Sequence, residues 1–206
     1  MPTAPPAPRR ILLVRHGETA ANVAGRFLGR SDPPLTAAGR GAALGLAPLV
    51  AAFAPDSTIS SPALRARDTA AVLGTENPVI DARLREVDFG RWEGLTPAEA
   101  AARDPDLHRA FVRGDIFGFP EGETVATAAD RILSGIAALG SARSVVVTHA
   151  TVIRIAVSAL LGLPPNRYRS LLGRPDNCSA TELEFDDGVW RLLRYSVRAL
   201  PAESTL

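Results

Sequence analysis

Two stretches of the chain are apolar without interruption, and both run straight into a histidine: "RILLVRH" (10–16) and "SVVVTHA" (144–150). Neither shows the in–out alternation of a strand with one wet face. Unbroken Val, Ile and Leu runs of this length are how strands covered on both faces read. "STISS" (57–61), "ATELEF" (180–185), "WRLLRYS" (190–196) and, more weakly, "PVID" (78–81) predict further strands. Between them the apolar residues follow helical patterns over 36–53, 62–74, 96–104, 124–140 and 151–162. Thr36 and Ser61 are placed to cap helix starts, Pro62 and Pro97 stand at first-turn positions, and Gly74, Gly140 and Gly162 mark ends. Strands alternating with helices predict an α/β fold, a three-layer α/β/α sandwich around a mostly parallel sheet. The last two strands are joined only by "DDGV", which predicts an antiparallel hairpin at one edge.

Residues 104–123, "DPDLHRAFVRGDIFGFPEGE", are the least regular portion and are expected to lie as a lid over a site. With 206 residues, 46% of them hydrophobic, the chain fits one domain, here 10–198 with a short cap insertion near 95–123. A loose proline-rich tail (1–9) and a C-terminal tail (199–206) are expected to flank it. There is no fixed-period repeat.

Charge narrows the function. The 23 Lys+Arg balance 22 Asp+Glu to a formal +1, and the arginines are dispersed, so no polybasic footprint for nucleic acid or an anionic membrane is present. Arginine remains the preferred residue for two-pronged phosphate contacts, so a few well-placed ones would serve a small anion. A lone cysteine, Cys178, excludes an intramolecular disulfide and any multi-cysteine metal site. The run Ile11–Val14 is too brief for a signal-peptide core or a membrane span, and a soluble cytoplasmic protein is expected.

Three histidines are present, His16, His108 and His149, and two of them stand where a buried strand ends. Ligands of open α/β sheets bind beyond the carboxyl ends of the strands, so His16 and His149 are expected to face one crevice. Arg15 precedes the first, and Arg65 follows the second strand where a helix begins. Arg67 and His108 read as surface residues. Glu86 is a carboxylate beside apolar Leu84, Val87 and Phe89. "HGETAAN" lacks the glycine spacing and the lysine of a nucleotide phosphate loop. A zinc helix needs histidines four apart, and the nearest pair here is 41 apart, so no metal and no cofactor are expected.

The blocks "RHGETAAN" (15–22), "SDPPLTAAGRGAA" (31–43), "SSPALRARDTA" (60–70), "LREVDFGRWEG" (84–94), "PEGET" (120–124) and "VVVTHATVIR" (145–154) resemble, in order and spacing, the histidine phosphatase superfamily, the phosphoglycerate-mutase-like proteins. The likeness spans roughly 10–198. It implies a covalent mechanism in which His16 attacks phosphorus and becomes a phosphohistidine. It implies that Arg15, Arg65, His149 and Asn22 hold the phosphoryl oxygens and that Glu86 is the general acid and base. Two positions depart from the pattern: Ala150 stands where relatives carry glycine, and Leu28 where they carry a polar residue.

Mutases of the glycolytic branch carry a Glu-Arg-His-Tyr-Gly block and a longer insertion with paired arginines. Here the text is "REVDFGRWEG" and the insertion is short, a closer resemblance to the broad-specificity and α-ribazole phosphatases, which share the pattern of Phe89 to Gly94. The expected substrate is a small phosphorylated metabolite; a mutase or a non-catalytic phosphate-binding member is the alternative. By location in the insertion, Arg109, Arg113, Phe117 and Phe119 are expected to line the substrate pocket. Dimers are common among relatives, and the residues leave a homodimer open.

Overall fold

The computed structural model describes residues 8–75 and 77–198. The expected C-terminal tail and all but the last two residues of the expected N-terminal tail lie outside that range. Arg9 itself belongs to the first strand. The order is β1 (Arg9–Arg15), α1 (Ala20–Val23), α2 (Ala37–Phe53), β2 (Ser57–Ser60), α3 (Leu64–Val72), β3 (Val79–Ile80), α4 (Pro97–Arg103), α5 (Pro105–Arg113), α6 (Val125–Ala137), β4 (Arg143–Thr148), α7 (Ala150–Leu160), α8 (Tyr168–Leu171), β5 (Ala180–Asp186) and β6 (Val189–Val197). No helix among the described residues is long and apolar enough to cross a membrane.

Six strands form one sheet in the order β3-β2-β4-β1-β5-β6. β1, β2, β3 and β4 run parallel; β5 runs against β1, and β6 against β5. The expected hairpin is therefore present at the edge, and the reversed strand is β5, one place in from it.

The unbroken apolar runs have their cause in the layers. Successive side chains of a strand point to opposite faces. Ile11 and Leu13 of β1 pack with α6 and α7, while Leu12 and Val14 pack with α2 and α3. Val146 of β4 joins the first cluster, and Val145 and Val147 the second. Each such side chain, moved from water to core, contributes roughly 1.5–3 kcal/mol.

Local signals set the helix starts, with one correction. Thr36 caps α2 by accepting from Gly39 N (2.9 Å), and Thr96 caps α4 with Glu99 closing the box. Ser61 does not cap α3. The helix starts two residues later, where the Asp32 carboxylate accepts from Leu64 N (2.7 Å) across 32 residues. A cap supplied from that far away is invisible to local pattern.

The stretch 104–123 is more regular than expected. α5 occupies its first half, starting at Pro105, a first-turn position that costs no hydrogen bond, and stopping at Gly114 with φ 76°. It is pinned by an aromatic cluster: Trp92, Phe111 and Phe119 are buried and in edge contact, and Trp92 Nε1 donates to Asp104 (2.8 Å). Phe27 and Phe89 join them.

Candidate active site

β1 and β4 are neighbours in register, with Arg15 opposite Thr148. The ladder continues one residue further, His16 N donating to Thr148 O (3.0 Å). His16 and His149 therefore leave the sheet side by side, ring centroids 5.2 Å apart at 62°. Both are buried.

A hydrogen bond to a carbonyl assigns the tautomer of His16. His16 Nδ1 is 2.7 Å from Gly17 O. A carbonyl only accepts, so Nδ1 carries the proton and Nε2 keeps its lone pair. His149 Nε2 is 2.8 Å from Ser61 Oγ, which itself accepts from Ala63 N (3.3 Å). The hydroxyl has one proton and a second lone pair; with the proton given to Nε2, Nδ1–H is the ring's donor, and among the described residues Nδ1 has no partner.

The backbone around His16 is closely held. A Cβ on Gly17 would stand 2.8 Å from Gly39 O, so only glycine fits against α2 there. Gly17 N donates to Thr69 Oγ1 (2.9 Å), which donates to Arg65 O (2.7 Å). One buried threonine thus couples the His16 loop to the first turn of α3.

Arg15 donates to Pro175 O (2.7 Å), and Arg65 to Ser31 O (2.7 Å) and Gly29 O (3.0 Å). Among the described residues, the buried Nε of each has no partner. Asn22 Oδ1 accepts from Thr19 N (3.2 Å) and from Asn177 Nδ2 (3.1 Å), which leaves its own N–H groups free to donate. Glu86 accepts from Val87 N (2.9 Å) and, at the start of α7, from Thr151 N (3.3 Å).

Burial holds both imidazoles well below the ordinary histidine value, and the Arg65 and Arg15 charges add to it. Burial pushes the Glu86 carboxyl up, against the Val87 and Thr151 N–H groups and the same two arginines. The arrangement can do three things chemically. It presents a neutral nitrogen nucleophile, surrounds it with donors for an anion, and keeps a carboxyl group able to give a proton.

Arg15, His16, Asn22 and Glu86 line one cavity of about 420 Å³; Arg65 and His149 are fully buried outside its lining, the His149 ring 5.2 Å from that of His16. The four pocket residues expected from the insertion are not in its wall. Arg109 is exposed and paired with Asp106, Arg113 and Phe117 point to solvent, and Phe119 is spent on the core against Phe89. For the two arginines the helical phase of α5 is the reason: it turns His108, Phe111 and Val112 to the cavity instead. His108, expected at the surface, is half-buried beside Trp92. Arg67 is exposed, as expected. Leu28 is buried in the cavity wall.

Sequence offered Ser61 only as a helix cap and gave Thr69, Thr151 and Asn177 no role. For Asn177 a signal existed: β5 runs against β1, so a polar residue just before β5 arrives at the end of β1 where His16 lies.

Comparison with known proteins agrees with this geometry. The family model described as histidine phosphatase superfamily (branch 1) matches residues 11–198. A glucosyl-3-phosphoglycerate phosphatase of Mycolicibacterium vanbaalenii is 35% identical, over 96% of this chain and 99% of its own. The native structure of a mycobacterial glucosyl-3-phosphoglycerate phosphatase superposes with a TM-score of 0.84 at 33% identity, covering 93% of this chain and 100% of the other. The α-ribazole phosphatase of Shigella flexneri superposes at 0.80 with 27% identity, covering 94% and 99%. A bifunctional protein of Mycobacterium tuberculosis is 38% identical over 164 residues but longer, and the chain spans 44% of its length.

Proposed function

The chain belongs to the histidine phosphatase superfamily, branch 1; from that premise we propose that it is a phosphatase that hydrolyses the phosphate monoester of a small metabolite, without a metal ion, through a phosphohistidine on His16. One observation carries the reading. Among the described residues Arg15 Nε, Arg65 Nε and His149 Nδ1 are buried nitrogens without partners, on the residues whose charge or ring bears on His16, and the bond from His16 Nδ1 to Gly17 O leaves its Nε2 unprotonated. Buried donors of this kind are costly unless something accepts from them, and a phosphoryl group offers three oxygens.

In the first step the Nε2 lone pair forms the N–P bond as the bond from phosphorus to the leaving oxygen breaks. Glu86 gives that oxygen its proton. In the second, a water attacks phosphorus, Glu86 takes the water's proton, and the N–P bond breaks to return the lone pair to Nε2. Arg15, Arg65, Asn22 and His149 Nδ1–H spread over the equatorial oxygens, where charge is held in the transition state.

The two perturbed groups have to be perturbed together. The first step needs His16 neutral and Glu86 protonated at the same pH. With ordinary values of 6.5 and 4.5 that pair of states is a minority at every pH. Burial moves one down and the other up, which widens the range in which both hold. The single buried cysteine and the absence of a polybasic stretch support work on a diffusible substrate in a reducing cytoplasm, with no nucleic-acid or membrane partner.

The test is a panel of phosphate monoesters with a chelator present, together with acid-quench trapping of phosphoenzyme. Release of phosphate and a trapped phosphohistidine, lost in His16→Ala, are expected. No release from any ester between pH 4 and 9 would sink the proposal, and interconversion of 3- and 2-phosphoglycerate as the dominant reaction would replace it with a mutase.

A further inference from the structure

Away from the strand ends, the same cavity carries three more arginines: Arg154 on α7, Arg169 on α8, and Arg174 in the loop that follows. Glu86 is the sole acidic side chain among the residues lining the cavity, and it is occupied by backbone donors. Arg26, also in the wall, is paired with Glu99 (3.0 Å). Among the described residues none of the other three has a carboxylate within ion-pair distance.

Arg154 is the sharpest case. It is 5% exposed, yet of its five N–H groups the protein uses one, an Nη2 bond to Leu172 O (3.0 Å). Its Nε is buried without a partner. The guanidinium carbon lies 4.9 Å from the centre of the Tyr168 ring, a cation–π contact that holds the group beside the ring while most of its N–H groups have no acceptor among the described residues. Burial, with the charges of Arg169 and Arg174 adding to it, disfavours the cation. A buried cation without a counter-charge is a strongly unfavourable arrangement unless another molecule completes it.

Arg169 is held in a similar way: it stacks 3.7 Å over the Phe111 ring and donates to Phe111 O (2.9 Å). These contacts use part of each guanidinium and orient the remainder. Arg174 lies in a loop whose next residue, Pro175, accepts from Arg15, so this second group of cations adjoins the phosphoryl donors.

Resting on the phosphatase reading, we propose that Arg154, with Arg169 and Arg174, forms a second anion subsite, so that the preferred substrates are phosphate monoesters whose leaving group carries its own carboxylate or phosphate. The subsite lies on α7, α8 and the loop beyond, not on the insertion at 95–123. A planar, two-pronged cation fixed by stacking selects such a group by geometry as well as charge. It also gives the mixed wall a use: Phe27, Leu28 and Phe111 would face the uncharged part of the leaving group.

The experiment compares esters that differ in one charge: 3-phosphoglycerate with glycerol 3-phosphate, 4-carboxyphenyl phosphate with phenyl phosphate, and glycerol 1,3-bisphosphate as the phosphate counterpart. The charged member of at least one comparison should have a kcat/KM at least tenfold higher, the size expected for a charge-assisted contact. Arg154→Met should cut that ratio to about twofold or less, acting mainly on KM. Arg174→Gln, at an exposed position with no protein hydrogen bond among the described residues, should lower the ratio in the same direction and guards against misfolding of the first variant. Equal kcat/KM within every comparison in the wild type, or equal loss on charged and uncharged esters in both variants, would overturn the subsite. Calorimetry on His16→Ala with 3-phosphoglycerate and glycerol 3-phosphate separates the two failures. A tenfold affinity difference without turnover in the wild type would retain the subsite and discard the phosphatase; turnover without preference would do the reverse.

Discussion

The two ends of the cavity hold positive charge by different means. At the strand ends, Arg15, His16 and His149 come from two adjacent parallel strands, and the ladder between Arg15 and Thr148 sets their spacing. At the far wall, Arg154, Arg169 and Arg174 come from helices and a loop, and the first two are held against the rings of Tyr168 and Phe111. A sheet fixes position to the precision of its hydrogen bonds, which suits groups that must meet a reacting phosphorus. Stacking fixes a plane and a direction, which suits recognition of a group that does not react. The comparison predicts that damage to the first end lowers kcat and damage to the second end raises KM.

The largest effect should come from the strand end. His16→Ala removes the atom that bonds phosphorus, and a loss of roughly 10⁴-fold or more in kcat is expected, with the trapped intermediate gone. Retention of more than about a tenth of the rate would mean that another group attacks. Glu86→Gln should cost on the order of 10²–10⁴-fold for an alkyl phosphate and much less for a nitrophenyl ester, whose leaving oxygen needs little protonation.

The same substitution separates the two limbs of the pH profile. Glu86 acts as an acid only while protonated, so the rate falls as pH rises through its raised value. His16 acts only while neutral, so the rate falls as pH drops through a value held well below 6.5. Glu86→Gln should flatten the alkaline limb and leave the acid limb in place. An unchanged alkaline limb would assign that limb to some other group.

A smaller effect is expected where the strand end is held from behind. Ser61→Ala removes the hydroxyl bonded to His149 Nε2, the partner that would favour the ring proton at Nδ1; roughly tenfold in kcat is the size of one such buried hydrogen bond. Ser61→Thr, which restores a hydroxyl, should recover part of that loss. If Ser61→Ala and Ser61→Thr behave alike, the tautomer of His149 is set by something other than this serine.

The contrast between the ends also explains what could be read from the chain. Strand runs, their parallel order and the two terminal histidines were legible because period and position act locally: a buried strand declares itself within seven residues, and its carboxyl end faces the crevice. The far wall was not. Arg154 belongs to a helix buried nearly all round, where no polar stripe marks which residues face a cavity. Arg169 and Arg174 are ordinary arginines in a loop-rich stretch until Phe111, some 60 positions away, fixes the plane of the first. Asp32 capping α3 and Asn177 orienting Asn22 share that character, each joining residues far apart in sequence. Which insertion residues line the cavity was not legible either: a nine-residue helix rotates a different face inward than an irregular segment would.

That rotation gives the smallest and most discriminating prediction. Arg109 and Arg154 are both arginines a sequence reading could offer to an anionic substrate, and only geometry separates them. Arg109 is exposed on the outer side of α5 and paired with Asp106 in the same helix. Exposed pairs of this kind contribute about 0–1 kcal/mol to stability, so Arg109→Ala should fold normally. It should also change kcat/KM by less than about twofold on 3-phosphoglycerate and glycerol 3-phosphate alike, because a screened charge outside the cavity acts weakly on either. Were Arg109→Ala instead to raise KM for 3-phosphoglycerate alone, α5 would have to turn its outer face to the substrate during binding, and the division between a reacting end and a recognising end would include the insertion after all.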